Sequence, residues 1–290
     1  MRRLALLTAL ASFAFVPLSA QRNSSVNPGE IAGRIGEYVQ AYFARAQSII
    51  CDEIVRVQEL GPDLLSATSP ARVVVNELRV SWEPLSDGRM NPPVILRNLV
   101  SVNGRPPRPK DHDKCFDPEA SSPELLGELF LPENRPKFRY NARSVSKVNG
   151  RPAYVIDVID MDRGPVEVQA DEDCVKFGKP GSMRWRVWAD QETFGVLRIE
   201  QSLNTLFDVT IPANRKAHTP ERDVTVDRVS TTIVYRNVAF ADPDESLLLP
   251  ASRETVQVLR NSPAPRMRIS SSYRNYRRFM TGIRMVEGAP

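Results

Sequence analysis

The sequence is poor in the residues that usually carry chemistry. It has two histidines, His112 and His218, and three cysteines, Cys51, Cys115 and Cys174. It contains no G-x-S-x-G elbow, no H-E-x-x-H, no phosphate-cradling glycine loop and no G-x-G-x-x-G. That removes the patterned hydrolases, zinc proteases and nucleotide enzymes from consideration. No C-x-x-C occurs, so a thiol redox motif is absent as well. Both histidines fall in charged or proline-containing stretches, and no acidic pair has the apolar setting that tunes a general base. The expectation is no enzymatic activity and no cofactor, with a hydrolase using loop carboxylates such as Asp171 or Asp242 as the remote alternative.

Metal binding fares no better. Asp111, His112, Asp113 and Cys115 mix hard carboxylates with a soft thiolate and lack a second ligand cluster, which reads as a solvated loop. Asp160-Met161-Asp162 opens like a calcium loop but lacks ligands at the fifth and twelfth positions. Asp242-Pro243-Asp244-Glu245 reads as a turn ending a strand.

A secretory pattern stands at the start. Arg2 and Arg3 precede the apolar run Leu4 to Val16, and Pro17-Leu18-Ser19-Ala20 offers a small residue for cleavage. The run is shorter than the ~20 residues a membrane span requires. Gln21, not cysteine, follows Ala20, so a lipid anchor is not expected there. The expected address is periplasmic or extracellular, with no transmembrane segment in the mature chain. Without residues 1–20 the chain keeps 37 basic against 35 acidic side chains, too even a balance to argue for nucleic acid. An oxidising compartment favours one disulfide. All three pairings are open, and Cys115–Cys174 is favoured because both lie in polar stretches beside strands.

After a disordered lead-in over 21–29, the spacing of Ile31, Ile35, Tyr38, Val39, Tyr42, Phe43, Ala46, Ile49 and Ile50 predicts a helix from about Glu30 to Ser48 with one broad apolar face. The period then becomes two. Val74, Asn76, Leu78, Val80 and Trp82 share one parity, while Glu77, Arg79, Ser81 and Glu83 share the other. Further strands are expected at 94–102, 138–148, 153–160, 183–190, 196–203, 231–240, 255–260 and 266–276. Short polar connections make them antiparallel neighbours. Val102-Asn103-Gly104-Arg105-Pro106 and Val148-Asn149-Gly150-Arg151-Pro152 are near copies, each with an Asn-Gly pair suited to a type I′ turn.

Residues 30–284 are expected to form a single mainly β domain (α+β) with insertions at 108–136 and 206–225, followed by a 285–290 tail. The first insertion should hold a short helix capped by Ser122, with Leu125, Leu126, Leu129 and Phe130 apolar. The second reads as an irregular loop. Seven arginines and no acid fill Arg260 to Arg284. Arg266, Arg268, Arg274 and Arg278 alternate with Met267, Ile269 and Tyr273, as a strand with solvated arginines requires.

Two segments resemble a known family. Val148-Asn149-Gly150-Arg151-Pro152-Ala153-Tyr154-Val155-Ile156, then Arg186-Val187-Trp188-Ala189-Asp190-Gln191-Glu192-Thr193 leading into Val196-Leu197-Arg198-Ile199, resemble the outer-membrane lipoprotein-carrier superfamily. That superfamily also includes periplasmic regulators of the envelope-stress sigma factor. The resemblance implies a curved antiparallel sheet or half-barrel around an apolar cavity, closed by helices on its concave face. The cavity would be lined by Trp82, Trp185, Leu197 and Tyr235, with Tyr42, Phe43, Leu125 and Leu129 on the lid. A lipid or acyl-chain ligand is the implied cargo. The alternative is an envelope sensor or scaffold that binds another protein through the 108–118 loop and the arginine-rich C-terminal segment.

Overall fold

The computed structural model describes residues 27–46, 48–81, 94–111, 129–161, 167–171, 174–179, 183–211, 213, 220–262 and 266–278. The helix α1 (Pro28–Arg45) is followed by β1 (Ser48–Glu59), β2 (Arg72–Ser81), β3 (Val94–Val102), β4 (Phe138–Val148), β5 (Arg151–Asp160), β6 (Glu167–Asp171) and β7 (Cys174–Lys179). Then come β8 (Met183–Asp190), β9 (Val196–Leu203), β10 (Phe207–Ile211), β11 (Arg222–Ala241), β12 (Asp244–Arg260) and β13 (Arg266–Arg278). Eleven strands form one antiparallel sheet in the order β3-β2-β1-β13-β12-β11-β9-β8-β5-β4, with β10 paired to β11. β6 and β7 pair only with each other. The ends β3 and β4 do not meet, so the sheet stays open. The fold is mainly β with an N-terminal helix, as expected.

α1 begins where its sequence tells it to. The Asn27 side chain accepts the Gly29 N–H at 3.0 Å, Pro28 occupies the first turn, and Glu30 sits at the positive end of the helix dipole. Ile31, Ile35, Val39, Tyr42 and Phe43 form its buried stripe, each contributing about 1.5–3 kcal/mol by leaving water. The helix stops at Arg45, three residues before the predicted end. Ile49 and Ile50 belong to β1, and Ile49 joins the same core from the sheet side.

Both Asn-Gly turns adopt the expected geometry. Asn103 and Gly104 have φ of 48° and 75°, Asn149 and Gly150 of 50° and 82°, the left-handed pair a type I′ hairpin needs. The arginine that follows has a second job in each copy. Arg105 donates to both oxygens of buried Asp111, at 2.7 and 3.0 Å. Arg151 donates to buried Asp190 at 2.9 Å. Asp190 in turn accepts the Glu192 and Thr193 N–H groups and the Thr193 hydroxyl, which shapes the turn between β8 and β9. Asp111 is therefore not a solvated loop residue. Arg105 chiefly, helped by the Arg108 N–H, holds its carboxyl well below the usual carboxylate range. This pins the start of the 108–136 insertion against the sheet.

Other expectations change. The predicted 206–225 loop contains β10 and the first residues of β11. Arg278 does not lie with the solvated arginines. Asn275 at φ 53° makes a bulge opposite Cys51 that reverses the parity, and Arg278 turns onto Glu245 at 2.5 Å and over the Phe240 ring at 4.9 Å. Arg268 and Arg277 instead meet Glu254 (3.8 Å) and Glu77 (2.8 Å). Over Arg266–Arg278 the arginine-rich segment is thus a strand flanked on both sides, by β1 and β12.

The helix also presses on the segment ahead of β4. A Cβ added at Gly36 would lie 2.5 Å from the Phe130 carbonyl oxygen. Gly36→Ala is therefore expected to destabilise the fold by about 1–2 kcal/mol, overpacking outweighing alanine's better helix propensity. Urea titration reads the sign directly, and a stabilised variant would show that the 129–131 segment yields freely.

Candidate functional site on the inner face of the sheet

α1 covers one face of the sheet, here termed the inner face. Beneath it lies an apolar cluster that gathers Ile31, Ile35, Val39 and Tyr42 with Trp185, Val187, Leu197, Ile199, Tyr235 and others. The cluster unites every described residue named above as cavity or lid. Trp185, Leu197 and Tyr235 come from β8, β9 and β11, Tyr42 and Phe43 from α1, and Leu129 from the end of the insertion. Trp185 meets Phe138 edge-on at 5.5 Å. Trp82 and Leu125 lie outside the described residues, as do His112, Cys115, His218 and residues 1–26. The favoured disulfide likewise lies outside them, because it needs Cys115.

The packing under α1 is dense. Ile35, Val39, Tyr42, Leu129, Val187 and Ile199 are all 0 % exposed. A side chain lining a chamber wide enough for an acyl chain keeps surface that a water-sized sphere can touch, and these keep none. At these six positions the inner face beneath α1 is filled by protein, so a ligand entering there must displace side chains or the helix.

Beside this cluster the inner face changes character. Among the described residues six polar or charged ones are buried: Glu53, Asn76, Asp111, Asp190, Thr231 and Ser271. Asp111 and Asp190 are held by the two turn arginines. The other four fall on one belt that the strand register assembles. Glu53 on β1 stands opposite Asn76 on β2 and Tyr273 on β13. One step along, Ser271 on β13 pairs with Arg253 on β12. A step further, Thr255 on β12 pairs with Thr231 on β11, which pairs with Gln201 on β9. Beyond the belt a second apolar group, Val55, Val57, Val74 and Met267, resumes on the same face.

Glu53 is the anchor of this belt and is 1 % exposed. Asn76 Nδ2 donates to its Oε2 at 3.1 Å, and Arg97 grips both oxygens, Nε to Oε2 at 2.7 Å and Nη2 to Oε1 at 3.2 Å. Such a two-pronged contact is the strong form of a charged hydrogen bond. The Thr231 and Thr255 hydroxyls share a hydrogen bond of 3.0 Å. Burial raises the Tyr273 phenol, with Glu53 adding to the effect, so it stays a neutral donor. The belt is polar and largely dry.

Cys51 lies at its edge. Burial, and then the Glu53 charge, push its thiol up to about 12. Only the thiolate is nucleophilic, so this cysteine is expected to resist maleimide at pH 8 in the folded chain and to react once urea unfolds it. Peptide mapping of the label checks this, and rapid labelling of folded protein at Cys51 would contradict the burial.

The belt was missed in the sequence because its members are isolated polar residues inside apolar strands, up to some two hundred positions apart. One trace was present: Asn76 sits on the apolar parity of β2.

No family model matches the chain, and no curated protein does. Among solved structures, it is similar to a LolA superfamily protein from Nitrosomonas europaea, at 11 % identity and a TM-score of 0.33, over 87 % of this chain and 94 % of that one. It is also similar to a DUF1329 family protein from Desulfovibrio piger, at 10 % identity and a TM-score of 0.37, over 87 % and 93 %. A third is the MucA/MucB complex of Pseudomonas aeruginosa, at 10 % identity and a TM-score of 0.23, over 82 % and 93 %.

Proposed function

We propose that the chain is an exported, non-catalytic binding protein that holds an amphiphile, an acyl chain with a polar end, between α1 and the inner face of its sheet. The observation that carries this reading is the buried polar belt lying in register beside the apolar cluster under α1. An apolar surface with a few convergent polar groups is how proteins orient such ligands. The motif resemblance to the lipoprotein-carrier superfamily points the same way, and a protonated Cys51 offers no nucleophile beside the belt. Export rests on the signal pattern of residues 1–20. The filled state under α1 is then the unloaded form, and loading parts the helix from the sheet. Native mass spectrometry of protein purified from its own compartment, followed by lipid extraction, tests the reading. Co-purifying or exchangeable lipid is expected. A bare mass with no uptake of palmitate or phospholipid would sink it.

A second reading has its own support. On the face away from α1, Arg143, Arg184, Arg186 and Arg198 project from β4, β8 and β9, and three of them pair with Asp157 or Glu200. Arg143 and Arg186 share Asp157, and Arg198 lies over Trp188 at 5.3 Å. A chain whose inner face stays closed would use that basic face to hold an acidic envelope protein. Crosslinking that recovers no specific partner counts against it.

A further inference from the structure

Two guanidiniums reach the polar belt, and they are treated differently. Arg97 is committed to Glu53. Arg253 pairs across the sheet with Ser271 on one side and Ile233 on the other, both buried on the inner face, and is itself half-buried. It lies close enough to Tyr273 for its charge to act on the phenol. Among the described residues no hydrogen bond or ion pair engages its guanidinium. The neighbouring acid, Glu254, has the opposite parity and meets Arg268 on the other face at 3.8 Å. Among the described residues the belt therefore carries two cations against one carboxylate.

The Arg253 nitrogens keep contact with solvent, so an anion can reach them, and the strand register sets the residue among hydroxyl-bearing neighbours. Ser271 stands directly across, Thr255 two residues along the same strand and face, Thr231 opposite Thr255, and Tyr273 on the diagonal. A planar fork of donors suits an oxyanion, because the fork bonds two of its oxygens and neighbouring hydroxyls can donate to the lone pairs that point away from it. We infer that Arg253 anchors the anionic end of the ligand, a carboxylate or a phosphate, on the belt, with the chain running into the apolar cluster under α1. This rests on the amphiphile reading above.

The test compares three ligands with like chains: palmitate, palmitoyl lysophosphatidate and the neutral hexadecanol, on the mature chain and on Arg253→Gln and Arg253→Lys. Both anionic ligands are expected to bind the parent chain more tightly than hexadecanol. Arg253→Gln should weaken both by about tenfold or more, the loss of a charged hydrogen-bond partner, and leave hexadecanol unchanged. Arg253→Lys should keep part of the affinity, as a point charge without the fork. Tighter palmitate binding identifies a free fatty acid as the source of the anion, and tighter lysophosphatidate binding a phospholipid headgroup. Equal affinity of the parent chain for hexadecanol and the anions overturns the anchor but leaves the amphiphile reading standing, as does an equal loss of all three ligands in Arg253→Gln. Failure of the parent chain to bind any of the three overturns both.

Discussion

Arg97→Ala is expected to lower the unfolding free energy by about 3–5 kcal/mol, because it leaves a buried carboxylate without its counter-charge. Glu53 has little other help. Asn76 offers one amide hydrogen, and the residue is 1 % exposed, so water cannot replace the guanidinium. The double variant Glu53→Gln with Arg97→Leu should recover most of the loss. It removes both charges and keeps a carbonyl for Asn76, and buried pairs are often replaceable by neutral groups at little cost. Urea unfolding at pH 7 reads both, and the coupling between the two positions follows from the cycle. A loss below about 1 kcal/mol for Arg97→Ala would match an exposed pair, meaning that the belt is open to water.

The same residues explain what could be read from the sequence and what could not. Pattern sufficed where a strand's inner parity is uniformly apolar, as in β8 with Met183, Trp185, Val187 and Ala189. It failed at β1, whose inner parity runs Ile49, Cys51, Glu53, Val55, Val57. The glutamate that anchors the belt is what interrupts the alternation, so Ile49 and Ile50 read as the tail of α1. Most of β12 was hidden differently. Leu247, Leu248, Leu249 and Pro250 are buried in succession, and a register shift near Pro250 lets a proline sit inside the strand. A continuous apolar run carries no period to detect.

The paired turns show the limit of motif reading. Asn-Gly announced both hairpins because positive φ is a local demand. The arginine clamps were silent because their partners lie six and thirty-nine residues away. In the first copy the partner, Asp111, also sits in a run of charges that looks solvated. What it does depends on a fold the sequence does not spell out locally. The inner-face belt is the same case on a larger scale, assembled by register from six strands.

Tyr42→Ala tests where the ligand goes. Tyr42 is 0 % exposed on α1, stacked at 6.5 Å on Tyr38 and packed into the cluster with Trp185 and Leu197. Truncating so large a buried ring should cost about 3–5 kcal/mol, part lost burial and part the void left behind. Stability and binding should then move in opposite directions. If an acyl chain enters beneath α1, the parent chain must first displace packed side chains, whereas the variant already offers apolar space. Palmitate should therefore bind Tyr42→Ala more tightly than the parent, and should restore part of the lost melting temperature through binding to the folded state alone. Gly36→Ala, which strains the same helix without opening space, should lose stability with no gain in affinity. An unchanged palmitate affinity in Tyr42→Ala, with the fold intact by circular dichroism, would place the ligand away from the helix and return weight to the basic outer face.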